Sequence, residues 1–170
     1  VSAQPIFTAL TQVRQWAQNT KDASGARLID SEWVQLNLAR VHAQAEYLKL
    51  INWELASAAA AAPSPADASA AKVFGTELAT EAYRLLMEVL GPSATLRQDS
   101  PGALLRGRGE RMHRAAPILP FGGGTNEVQR DIDAVRRVEA EIADDWARAV
   151  VDNKQDAVRA AKERLQKWNE

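Results

Sequence analysis

The sequence predicts an all-α fold, an antiparallel helical bundle, and three observations carry that expectation. Apolar residues recur at every third or fourth position through several long stretches, the mark of helices with one buried face. Punctuation at Pro63-Ser64-Pro65, Gly91-Pro92 and Gly122-Gly123-Gly124 divides those stretches into separate helices. No segment alternates apolar and polar residues over a strand's length, and no internal repeat is found.

The first helix is expected from about Pro5 to Asn19. Ile6, Phe7, Leu10, Val13 and Trp16 share one side, and Pro5 suits the first turn, where its missing N–H has no partner to lose. Lys21 to Ala26 reads as a loop around Gly25. A second helix follows Asp30 or Ser31, either of which can cap it. Val34, Leu38, Val41, Ala45, Leu48, Ile51 and Leu55 stripe it, and the alanine tract Ser57 to Ala62 prolongs it until two prolines stop it. The third helix runs from near Pro65 to Gly91-Pro92, broadly apolar through Ala68, Ala71, Val73, Leu78, Ala82, Leu85, Leu86 and Val89. Ser93 to Gly124 is the least regular part and holds one short helix from about Pro101 to Ala116. Another helix opens at Thr125 and is expected to reach about Val151, with Val128, Ile132, Val135, Ile142, Trp146 and Ala149 on one face. A last helix, near Lys154 to Trp168, aligns Ala157, Ala161, Leu165 and Trp168.

Composition removes several classes of function. A length of 170 residues suits one domain, or a domain with an appendage. Lys and Arg total 21 against 22 Asp and Glu, which argues against a globally basic nucleic-acid binder. Cysteine is absent, so disulfides, thiolate metal sites and a cysteine nucleophile are excluded. His42 and His113 are too few for a histidine-built metal site, and no metal is expected. Nothing approaches the roughly 18 apolar residues of a membrane span. Val1 to Leu10 shows no secretory pattern, so a cytoplasmic setting is expected, and the missing initiator Met suggests an excised or processed piece.

The most informative stretch is Phe121-Gly122-Gly123-Gly124-Thr125-Asn126-Glu127-Val128-Gln129-Arg130. Glycines feeding a helix start let a ligand approach backbone closely, and the orphan N–H groups there favour an anion or a cofactor edge. The plainer alternative is a flexible loop capped by Thr125, with Glu127 favourable near the helix dipole. A locally basic cluster, Arg106, Arg108, Arg111, His113 and Arg114, is equally two-sided. It reads as a phosphate-binding group, or as a solvated face partly paired with Glu110. No aromatics interleave it, so nucleic-acid stacking has no support. The five tryptophans read as core or interface packing, and His42 as structural.

The run FGGGTNEVQRDI, with SPGALLRGRGERMHRAAPILP before it, resembles the C-terminal helical domain of bacterial-type acyl-CoA dehydrogenases. AKVFGTELATEAYRLLMEVLGP (71–92) and LIDSEWVQLNLARVHAQAEYLKLINWELASA (28–58) resemble earlier helices of that domain, in order, over about residues 1–132. The resemblance implies a helical bundle that meets FAD and an acyl-CoA thioester together with two further domains. It implies α,β-dehydrogenation, with a carboxylate base for the α-proton and flavin for the β-hydride. Gly123, Gly124, Thr125 and Glu127 match the flavin-touching positions, in a full-length context. Glu88-Val89-Leu90-Gly91-Pro92 takes the place of a turn that meets a neighbouring subunit's dinucleotide, here with Glu88 for the usual Gln and Pro92 for the second Gly.

Three departures set expectations. Gly123 stands where many family members place the catalytic glutamate, and Val1 to Asn19, where others carry it, contains no Asp or Glu. The flavin-binding β-domain and the N-terminal helical domain do not fit in this length, so no catalysis is expected of the chain alone and no catalytic residue is assigned. After about residue 132 the chain continues as a salt-laced amphipathic tail, 133–170, in place of the family's short ending. Ile142, Trp146 and Leu165 of that tail are expected to pack on the bundle or on a second copy. A family segment joined to so regular an extension reads as an engineered protein. Self-association through apolar helix faces is the partner expected, with no nucleic acid and no membrane.

Overall fold

The structure is a computed structural model that describes residues 1–57 and 64–137, with Asp144 and Gln155 singly. Four α-helices are bounded in it: α1 (Gln4–Asn19), α2 (Glu32–Ser57), α3 (Pro65–Leu90) and α4 (Arg108–Ala115). A fifth, α5, is described over 126–137. Among the described residues there is no strand, only one isolated bridge between Lys21 and Arg27 in the first loop. The all-α class is therefore as the sequence predicts. The expected tail contacts of Ile142, Trp146 and Leu165, the helix near 154–168, the far end of the helix at 125–151 and most of the alanine tract lie outside the described residues.

Helix starts follow local chemistry. Pro5 occupies the first turn of α1, and the carbonyl of Ala3 receives the N–H groups of Ile6 and Phe7 at 3.0 and 3.1 Å. Ser64 caps α3, its hydroxyl accepting from the Ala66 N–H at 3.2 Å, and Pro65 sits directly behind it. Gly91, with φ of 71°, closes α3 by returning its N–H to the carbonyls of Met87 and Glu88. Between α1 and α2, the Asp22 carboxylate accepts from the Ser24 and Ala26 N–H groups and fixes the loop read at 21–26.

The helices run up, down and up. Val1 meets Asn52, whose Nδ2 donates to the Val1 carbonyl at 2.9 Å, while Phe7 meets His42, so α1 and α2 are antiparallel. Phe74 lies on Tyr47 and Glu88 lies by Asn37, so α2 and α3 are antiparallel too. Ile6, Leu10, Val13 and Ala17 of α1 face Val34, Leu38, Val41, Ala45 and Leu48 of α2 in one core. Into it α3 sends Leu78, Ala79, Ala82, Tyr83, Leu85, Leu86, Val89 and Leu90. Gly75 permits a close approach: a Cβ there would lie 3.2 Å from Leu48 Cδ1 and 2.7 Å from Val1 Cβ.

Some expectations need correction. The short helix read at 101–116 is a 3₁₀ turn (Leu104–Gly107), then α4, then a second 3₁₀ turn (Ala116–Ile118). Leu105 and Arg106 adopt left-handed φ values of 50° and 57°, which no α-helix accommodates. Trp16 packs against the core, but Trp33 and Trp53 are exposed, 49% and 61%, on the outer side of α2. Leu36, Tyr47 and Leu50 of the same helix are also exposed; Tyr47, Leu50 and Trp53 follow at three-residue spacing, about three turns beyond Leu36. Ala68 is exposed, one position off the buried line of Ala66, Ser69 and Ala71.

Candidate functional site

The glycine loop is held from behind by one lysine. Lys72, on the second turn of α3, donates to the Pro120 carbonyl at 2.8 Å, the Gly124 carbonyl at 2.7 Å and Asn126 Oδ1 at 2.7 Å. An ammonium has three protons, and all three are used. Asn126 is 3% exposed and fully engaged: its Oδ1 also accepts from the Thr76 hydroxyl at 3.1 Å, and its Nδ2 donates to Glu77 at 3.2 Å. Glu77 pairs in turn with Arg130 on α5. This polar set docks the loop and the start of α5 onto α3. Its centre, Asn126 and Thr76, is buried and hydrogen-bonded, the condition under which a polar network rigidifies a structure, while Glu77 and Arg130 lie at its exposed edge.

Within the loop, Gly123 and Gly124 take φ of 72° and 92°, where side chains are strained. Around Gly123 a Cβ would meet nothing within 4 Å, so its outward side is open. At Gly124 a Cβ would lie 2.8 Å from Gln129 Nε2, and that amide donates to the Gly123 carbonyl at 3.1 Å. Thr125 begins α5, its carbonyl accepting from the Gln129 N–H at 3.0 Å and its hydroxyl lying 3.4 Å from the Val128 N–H. The Glu127 carboxyl sits below its ordinary value because its own N–H, then the Thr125 hydroxyl, stabilise the charged form. The positions matched to flavin contact, Gly123, Gly124, Thr125 and Glu127, thus occupy one short surface. Ile118, Leu119 and Phe121 precede it, exposed, with Phe121 at 69%.

The other expected contacts fall differently. Glu88 is not free: it pairs with Arg84 and accepts from Asn37 at 3.3 Å. The basic cluster divides. Arg114 pairs with Glu110 at 2.7 Å, as the solvated-face reading expects. Arg106, Arg108 and Arg111 instead line a cleft with Gln12, Gln98 and Leu105. His42 is exposed beside the Phe7 ring edge, 6.1 Å between centroids. Among the described residues no group of three acidic or histidine side chains could hold a metal, and no helix is long and apolar enough to cross a membrane. Lys72, Thr76, Glu77 and Asn126 were not singled out from sequence. The available signal was a lone lysine within an apolar run of α3, Ala70-Ala71-Lys72-Val73-Phe74.

Comparison with known proteins assigns this helical bundle to a family. The profile of the acyl-CoA dehydrogenase C-terminal domain matches residues 1–137, and the chain belongs to that family. The family is FAD-dependent. Over 136 residues, 78% of this chain, it is 81% identical to acyl-CoA dehydrogenase FadE26 of Mycobacterium tuberculosis, of which those residues span 34%. The crystal structure of the ChsE4-ChsE5 complex from Mycobacterium tuberculosis superposes with a TM-score of 0.75 at 82% identity, over 78% of this chain and 34% of that one. The Tcur3481-Tcur3483 steroid ACAD superposes at 0.74 with 33% identity, over 81% and 34%. The chain therefore spans about a third of the relatives it matches. An engineered origin finds no support: the matched residues follow a mycobacterial enzyme at high identity.

Proposed function

We propose that this chain serves as the C-terminal helical domain of an FAD-dependent acyl-CoA dehydrogenase and performs no dehydrogenation alone. The observation that carries the reading is the loop locked by Lys72, with Gly123, Gly124, Thr125 and Glu127 on its outward side. The residues fit a flavin edge. Both glycines leave backbone bare, space at Gly123 is open, and exposed Ile118, Leu119 and Phe121 suit a flat heteroaromatic ring. When bound, FAD would supply the hydride acceptor. Thr125 and the loop backbone would orient it, and the Lys72 clamp would hold them at fixed height above α3. Gly123 offers no carboxylate and neither does α1, so the α-proton would go to a base outside these two positions.

The relatives support a finer version. One is a two-component complex and another a steroid enzyme, so we propose an acyl-CoA of steroid type as substrate for the whole assembly. The exposed apolar residues of α2, with Tyr47, Leu50 and Trp53 at three-residue spacing, are what we assign to an identical or related subunit. The test is co-production of this chain with the remaining two thirds of a FadE26-type enzyme as a second polypeptide. Co-purification with flavin absorbance is expected, and a Thr125→Val, Glu127→Gln double variant should lose the flavin while keeping its helical circular dichroism. Equal flavin retention by that variant overturns the loop assignment. Acyl-CoA-dependent reduction of an electron acceptor by this chain with FAD alone overturns the claim that it is inactive by itself.

A further inference from the structure

Nothing in the reading above uses the arginine cleft. It lies where α1, the 3₁₀ turn at 104–107 and the start of α4 meet, lined by Gln12, Gln98, Leu105, Arg106, Arg108 and Arg111. Arg108 also lines an apolar pocket with Tyr83 of α3. From Lys72 to Tyr83 is eleven residues, about 16 Å along the helix, so cleft and glycine loop are separate places.

The cleft is cationic and uncompensated. Among the described residues its lining holds three guanidiniums and no carboxylate. Among the described residues none of the three arginines has an ion-pair partner; the nearby Glu110 is taken by Arg114. Like charges gathered this closely repel, and an anion between them reverses the sign. Arg108 Nε is buried with no acceptor, a donor that folding has removed from water without replacement. Gln12 Oε1 is likewise unpartnered, so that amide is free to turn its NH₂ inward.

The backbone adds an independent sign. Leu105, Arg106 and Gly107 have consecutive left-handed φ values of 50°, 57° and 65°. Two of these residues carry side chains, and such strain persists where surrounding structure enforces it, commonly at ligand sites. The turn ends at Gly107, whose backbone packs so closely on the preceding segment that a Cβ would stand 2.3 Å from the Gln98 N. The turn places Arg106 and Arg108 on either side of Gly107, with Arg111 one helical turn beyond.

We propose that this cleft binds a phosphate dianion, free or as a phosphate monoester. Three forked guanidiniums and two amides exceed what one carboxylate with two oxygens satisfies. A tetrahedral dianion with three or four free oxygens matches both the charge and the donor count. Calorimetric titration of the 170-residue chain with inorganic phosphate and with AMP, at constant ionic strength, tests it. Saturable binding of either is expected, and a preference between them identifies the free or the esterified form. Arg106→Gln and Arg111→Gln, both at exposed positions, should each weaken it by about tenfold, one charge-assisted hydrogen bond in affinity. Arg14→Gln, on the same α1 helix but outside the lining, should leave it unchanged. No saturation with either probe overturns the proposal, as does equal binding by the Arg106→Gln, Arg111→Gln double variant. Binding of hexaglutamate in place of both phosphates also overturns it and makes the cleft a docking site for acidic protein.

Discussion

Replacing Lys72 by methionine, which keeps most of the stem and removes the ammonium, isolates what holds the glycine loop. Three acceptors lose their donor, but not equally. Asn126 Oδ1 can still take the single proton of the Thr76 hydroxyl at 3.1 Å, in competition with the Lys72 and Val73 carbonyls, and the Gly124 carbonyl belongs to an exposed residue that water can reach. The Pro120 carbonyl, in a half-buried residue, is the one left short. A hydrogen bond to a charged group contributes about 1.5–3 kcal/mol, and neighbouring losses do not add fully. A cost of about 2–4 kcal/mol follows. Chemical unfolding followed by circular dichroism measures it, and hydrogen exchange at the Val128 and Gln129 amides reports whether the α5 start loosens first. Lys72→Arg should restore only part of the loss, since a planar fork cannot converge on three acceptors as a rotating ammonium does. A Lys72→Met protein within about 0.5 kcal/mol of the parent, the range of an ordinary surface substitution, would refute the reasoning.

Other outcomes follow from the same structure. Gly107→Ala combines a φ of 65° with a Cβ at 2.3 Å from the Gln98 N and 2.7 Å from the Arg97 carbonyl carbon, so it should cost about 3 kcal/mol or more in thermal unfolding. Leu86→Ala opens the core between α1 and α3 and should cost about 2–5 kcal/mol in the same assay. Glu127 should titrate below the ordinary 4.5 in a carbon-detected NMR experiment. Because its folded value is lowered, its contribution to stability is complete above the unfolded carboxylate range and lost as pH falls through the folded value. Thr125→Ala, by removing the hydroxyl, should move that midpoint upward.

Most of the bundle was legible because its helices announce both ends and faces. Ser64-Pro65 and Gly91 bracket α3 to the residue, and the line Val34, Leu38, Val41, Ala45, Leu48 is the buried side of α2. Of the two placements the tryptophans allow, core or interface, Trp33 and Trp53 do not take the core, because hydrophobicity alone does not say which side of a helix meets it and both sit off that line. Around 104–107 the reading failed for a different reason. Left-handed Leu105 and Arg106 run into Gly107, which lies too close to Arg97 and Gln98 for a side chain, a tertiary contact that local propensity does not encode. At the site, the glycine loop was visible through its composition and its family resemblance. Its clamp was not, because Lys72 and Asn126 lie more than fifty residues apart and meet only in the folded chain.

The burial of α3 bears on how this domain tolerates sequence drift. From Ala71 to Leu90 only Glu77, Arg84 and Glu88 are exposed, and with half-buried Glu81 they form a single narrow line along the helix. Each of the four is already engaged: Glu77 with Arg130 and Asn126, Glu81 and Glu88 with Arg84. A helix covered on its other sides offers mutation almost no neutral ground, since a change either disturbs packing or strands a charged partner. Substitutions accepted there should come as compensated exchanges, Glu77 with Arg130 and Arg84 with its two glutamates. The outward side of α2 is free to change residue by residue, as far as its own partner allows.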